Sequence, residues 1–106
     1  MTENVNVPSG NELSLLQQWF NSQCDGKWEK YHKVSLVSLD NPGWLLNVDL
    51  QDTPLETTPF KEKKVKYDSE NDWYVVRIEN DIFVGAGGKN TLLHLIREFL
   101  NFAKFK

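Results

Sequence analysis

The sequence predicts an α+β fold, an antiparallel sheet of about four strands with an N-terminal and a C-terminal helix packed on one face. Three observations predict it. Apolar residues recur at three- and four-residue steps near both ends, whereas the middle alternates apolar and polar positions between turn residues. Helix, then strands, then helix is the order of an α+β domain. A length of 106 residues, 40% hydrophobic and 12% aromatic, supports one hydrophobic core and no second domain.

The polar residues 1–8 end at Pro8 and predict a frayed arm, leaving 9–106 as a single domain. Ser9-Gly10-Asn11-Glu12 has capping-box spacing, in which the serine oxygen accepts a backbone N–H and the glutamate reaches back. A helix over 10–24 follows, with Leu13, Leu16, Trp19, Phe20 and Cys24 on its apolar stripe and Gly26 supplying a left-handed residue to end it.

Val34 to Leu39 is β-rich, Asp40-Asn41-Pro42-Gly43 is a turn, and Trp44, Leu46, Val48 and Leu50 then alternate with polar positions, so the two segments form a hairpin. The prolines and threonines of residues 52–59 predict a loop. Phe60 to Tyr67 reads as a third strand, placed at an edge by its lysines, and Asp68-Ser69-Glu70-Asn71 as a turn. Trp73 to Glu79 is the fourth strand, in hairpin succession. After a turn at Asn80-Asp81, Ile82-Phe83-Val84 is either a short fifth strand or the approach to a flexible corner at Gly85-Ala86-Gly87-Gly88. Asn90 or Thr91 caps a last helix whose stripe is Leu92, Leu95, Ile96, Phe99 and Ala103. Helices on one sheet face leave Asn47, Asp49, Trp73, Arg77 and Glu79 on the open one.

Most chemistry is excluded by spacing. Cys24 is the only cysteine, which forbids an intramolecular disulfide and a multi-cysteine metal site. His32 and His94 have no His or Cys at i+3 or i+4, and no cofactor is expected. The glycine-rich segment fails the phosphate-loop pattern, because Phe83 stands at the first Gly position and Asn90 follows Lys89. No leader-like start and no apolar run of ~20 residues is present, so a cytoplasmic protein with no membrane partner is expected. Two competing functions are a small enzyme using Cys24 in thiol or sulfur-transfer chemistry, and a single-stranded nucleic-acid module using Phe60 to Tyr67. The first is disfavoured by the helix C-terminus, whose dipole opposes a thiolate. Against the second stand Glu62, which interrupts the basic patch, and a net charge of −3, which does not attract phosphates.

Charge is unevenly placed. Residues 40–60 and 67–81 are each net −4, a pattern that steers a cationic partner while nearby rings anchor it. Asp49, Asp52, Glu56, Asp72, Trp73 and Glu79 are the candidate partner-binding residues.

Leu16-Gln17-Gln18-Trp19-Phe20, Cys24-Asp25-Gly26-Lys27-Trp28-Glu29, Leu39-Asp40-Asn41-Pro42-Gly43-Trp44 and Phe83-Val84-Gly85-Ala86-Gly87-Gly88 together resemble the immunity protein 53 family of bacterial polymorphic toxin systems. The resemblance runs from about Leu13 to Phe102 and departs from the family's pattern at Lys30-Tyr31-His32-Lys33. It implies a cytoplasmic α+β protein that binds and neutralises a cognate toxin without catalysis. It also singles out Trp28, Glu29, Asp40, Asn41, Pro42, Gly43 and Trp44 as fold-holding or toxin-touching residues. A toxin with a cationic groove, such as a nuclease, is the target that complements the acidic stretches.

Overall fold

Helix α1 (Glu12–Gln23) buries Glu12, Leu15, Leu16 and Trp19, one face at helical spacing. The computed structural model describes residues 8–65 and 70–105. Residues 1–7 of the expected arm, and Lys66, Tyr67, Asp68 and Ser69 of the expected third strand and its turn, lie outside the described residues.

The expected helix over 10–24 is shorter at both ends, and its stripe is rotated: Leu13 is 53% exposed and Leu15 takes its place. The rotation has a polar cause. Glu12 faces inward, where its carboxylate accepts from the Ser9 N–H at 2.7 Å and the Gly10 N–H at 2.9 Å. Only half of the expected capping box forms, since the glutamate reaches back while the assigned cap, Asn11, makes no side-chain cap hydrogen bond. Gly26 is left-handed, φ 92°, but lies past the helix end, where Asp25 Oδ1 accepts from the Lys27 and Trp28 N–H groups and starts the short α2 (Trp28–Tyr31).

Strands β1 (Val34–Leu39) and β2 (Gly43–Asp49) form the expected hairpin, with Leu36 opposite Leu46. Residues 50–62 then cross to the far edge, pinned by buried Leu50 and Thr53 and by Leu55 and Phe60 packed on the core. There β3 (Lys63–Val65) pairs with β4 (Tyr74–Glu79). A two-residue turn at Asn80 and Asp81, both with positive φ, suits the twist of a tight hairpin and leads into β5 (Ile82–Gly88).

The described strands form one antiparallel sheet in the order β1-β2-β5-β4-β3. Two expectations are corrected here. The strands do not follow one another as successive hairpins, because β5 inserts between β2 and β4. The glycine-rich segment is not a corner; it is the second half of the central strand, held by neighbours on both sides. Glycine is required there because the packing is closest there: a Cβ at Gly87 would stand 2.7 Å from Tyr74 Cβ and 2.8 Å from the Trp73 carbonyl oxygen.

Helix α3 (Leu92–Ala103) lies on one sheet face and α1 packs beside it. Trp19 meets Phe99 edge to face with ring centroids 4.9 Å apart, and Phe83 meets Phe99 at 5.3 Å, contacts worth roughly 0.5–1.5 kcal/mol each beyond buried area. Thr91 is the N-cap residue of α3, but its hydroxyl donates to the Gly88 carbonyl. Two carboxylates are built into this core. Glu12 is met by Arg97, and Glu98 accepts from the Tyr74 hydroxyl at 2.6 Å and from Lys63 Nζ at 2.7 Å.

Candidate functional site

Register and pleat decide which acidic side chains share a surface. Asp49, Ile82 and Glu79 are paired across β2, β5 and β4 at one end of the sheet, on the face without helices. The Leu50 N–H donates to the Asp81 carbonyl at 2.8 Å, which brings Asp81 and the following residues 51–56 to that same end. Glu56 Oε1 accepts from the Asp52 N–H at 3.3 Å. Asp49, Asp52, Glu56 and Glu79, all expected at the partner surface, therefore share one end with Asp81. Asp72 and Trp73 do not join them: they flank the start of β4 at the opposite end, where Asp72 Oδ1 accepts from the Asn90 side chain and Trp73 is 38% exposed.

At the acidic end the sequence concealed a histidine bridge. His32 is buried, with Nδ1 2.9 Å from Asp49 Oδ2 and Nε2 3.1 Å from Asp52 Oδ2, and its ring lies 5.5 Å from that of Trp28. A carboxylate accepts and does not donate, so this pair of contacts favours the imidazolium form, in which both ring nitrogens carry hydrogen. Its hydrogen bond to Asp49 holds the pKa above the ordinary value; burial opposes this, and Asp52 adds to the rise. Nothing local in the sequence signals this cluster, because its members are 17 and 20 residues apart.

The bridge predicts a pH effect with a definite sign. A raised folded-state pKa contributes stability that is fully present below the ordinary value of 6.5 and is lost as pH rises through the raised value. Urea midpoints measured across that window should fall for the wild type, and His32→Gln should remove most of the dependence; an unchanged slope in the variant would assign the effect elsewhere.

The motif residues divide between frame and surface. Trp28 is buried and donates from Nε1 to the Gln51 carbonyl at 2.9 Å, and Glu29 Oε1 accepts from the Asp25 N–H at 3.1 Å, so both hold the loop before β1. Gly43 is buried in the sheet; Trp44, half-buried against the core, donates from Nε1 to the Lys89 carbonyl at 3.0 Å. Asp40, Asn41 and Pro42 are exposed in the β1–β2 turn. Asn41 and Pro42 line a hollow of about 320 Å³ together with Glu70, Asn71 and Trp73.

The features behind the competing functions are used structurally. Cys24 is half-buried at the C-cap of α1, its thiol donating to the Phe20 carbonyl, and burial, with Glu29 and Asp25, pushes its pKa up, away from thiolate. Phe60 packs against Phe83 and Phe102 in the core, and Lys63 pairs with Glu98, which removes both from a base-stacking surface. Among the described residues no group of three or more His, Cys, Asp or Glu is arranged to hold a metal ion, and no helix is long and apolar enough to cross a membrane.

No curated protein and no solved structure matches the chain. The sequence pattern of the family described as Immunity protein 53 matches residues 13–104, nearly the whole described domain. With that match, the chain belongs to the Immunity protein 53 family, whose members are non-catalytic proteins that bind and neutralise a toxin.

Proposed function

We propose that the protein neutralises its toxin by occupancy, laying the acidic strand end over the toxin's active site or an adjacent exosite. The observation that carries this reading is the gathering of Asp49, Asp52, Glu56, Glu79 and Asp81 at one end of the sheet, opposed locally by His32, Lys33 and Arg77. A toxin with a cationic groove, as nucleases need for phosphates, complements that end. Charge of this kind accelerates encounter and weakens with added salt, while buried contacts set residence time.

Co-expression with the toxin encoded beside it, followed by titration calorimetry at low and high salt, tests the reading. Growth rescue with a co-purifying complex is expected. Glu56→Lys and Glu79→Lys should each weaken binding about fivefold to tenfold, or roughly 1 kcal/mol, and Asp72→Lys at the opposite end should leave it unchanged. Full affinity in both acidic-end variants would refute the electrostatic version, and rescue without a complex would refute occupancy.

A further inference from the structure

The two edges of the sheet are treated differently by the sequence. The β3 edge, described over Lys63–Val65, carries Lys63 and Lys64, with Lys61 and Glu62 just before it and Pro59 upstream, the usual devices against unwanted strand pairing. The β1 strand itself carries none of them, its nearest charges and proline being Lys33 before it and Asp40 and Pro42 in the turn after it. Val34-Ser35-Leu36-Val37-Ser38-Leu39 holds no charge and no proline, and Leu36, Val37 and Leu39 are 36%, 48% and 39% exposed.

Its backbone is also open. The Asp49 N–H donates to the Lys33 carbonyl, so Lys33 and Asp49 are a hydrogen-bonded pair. Alternation along the ladder then directs the N–H and C=O groups of Ser35, Val37 and Leu39 to β2 and those of Val34, Leu36 and Ser38 away from the sheet. Among the described residues β1 is the terminal strand of the sheet, and no sixth described strand receives them.

We infer that the free edge of β1 is where the toxin docks, by adding an extended strand antiparallel or parallel to Val34–Leu39. This rests on the immunity reading and names the surface it uses. The edge is continuous with the acidic end, since Lys33 pairs with Asp49 and Val34 with Val48, so one partner reaches both. A basic partner is favoured over a second copy of this chain. Full antiparallel overlap of two β1 strands centred on Leu36 sets Val34 against Ser38 and Ser35 against Val37, and it brings together two molecules of net charge −3. The incoming strand supplies apolar side chains to both faces and hydrogen-bonds to Val34, Leu36 and Ser38.

Hydrogen exchange and calorimetry on the complex with the co-encoded toxin test this. Toxin should slow exchange of the Leu36 and Ser38 amides about tenfold or more. Ser38→Pro, which removes an outward donor and leaves the bonds to β2 in place, and Leu36→Lys, a charge at an exposed edge position, should each weaken binding about tenfold or more, whereas Lys64→Ala on the opposite edge should not. Circular dichroism on the same variants verifies that they are folded. Unchanged affinity and exchange in a complex that forms would overturn the edge proposal and leave the immunity reading standing. Absence of any complex would overturn both, and a wild-type dimer that Leu36→Lys splits would assign the edge to self-association.

Discussion

Arg97→Ala is expected to cost about 3–5 kcal/mol of folding stability, because it leaves a fully buried carboxylate without its cation. Glu12 is 0% exposed, and Arg97 Nε and Nη2 donate to its Oε2 at 2.9 and 2.7 Å. Burial would raise the carboxyl pKa, but the Ser9 N–H, the Arg97 guanidinium and the Gly10 N–H outweigh it and hold the value at about 2, against an ordinary 4.5. A depressed folded-state pKa contributes stability that is present above 4.5 and is lost as pH falls towards about 2. The wild type should therefore lose about 2–3 kcal/mol across that acid window, and Arg97→Ala should lose less, having already forfeited most of the interaction. Urea unfolding at neutral pH and at about pH 3 measures both. Glu12→Leu combined with Arg97→Met should be far milder than Arg97→Ala alone, since it strands no charge and the freed amides belong to Ser9 and Gly10, two exposed residues at the start of the domain. Equal losses in the single and double variants would mean that packing, not the unpaired charge, is responsible.

The sequence was legible wherever a short-range period carried the information. Leu46, Val48 and Leu50 alternate because one sheet face is buried, and Leu95, Ile96 and Phe99 recur because one helix face is. The same logic placed Asn47, Asp49, Arg77 and Glu79 on the face without helices. It failed where the determining partner was distant. Glu12 and Arg97 are 85 residues apart, so Glu12 read as an ordinary cap while its real role turned the α1 stripe from Leu13 to Leu15. His32 read as a lone ring because Asp49 and Asp52 meet it only after β2 has folded back. The acidic residues were legible as charge but not as a surface, since the register alone separates Asp72 from Asp49, Asp52, Glu56 and Glu79. Glycines misled most: without a side chain they carry no period, and loop and strand look alike until the neighbours are known.

Those neighbours make Gly87→Ala the other large effect, an expected loss of about 3 kcal/mol. Gly87 pairs with Trp44 of β2 on one side and Tyr74 of β4 on the other, beneath the start of α3. A methyl group there would meet the Thr91 hydroxyl oxygen, and it would stand 2.7 Å from Tyr74 Cβ and 2.8 Å from the Trp73 carbonyl oxygen. The last two are fixed by the backbone, so relief requires β4 to move, and Gly88 hydrogen-bonds to that same Trp73 carbonyl at 2.9 Å. Gly85, two residues earlier on the same face, provides the internal comparison. Its added carbon would meet Leu95 Cδ2 at 3.2 Å and Val76 Cγ1 at 3.3 Å, side-chain ends that can give way, and Gly85→Ala should cost about 1 kcal/mol. Because β5 carries hydrogen bonds to both β2 and β4, the larger loss should appear as a lower midpoint of one cooperative transition, with toxin affinity of the folded fraction unchanged. Equal stability of the two alanine variants would show that β4 has more room than the pairing of Tyr74 with Gly87 allows, and the reason for glycine in a central strand would have to lie in folding instead of in the packed state.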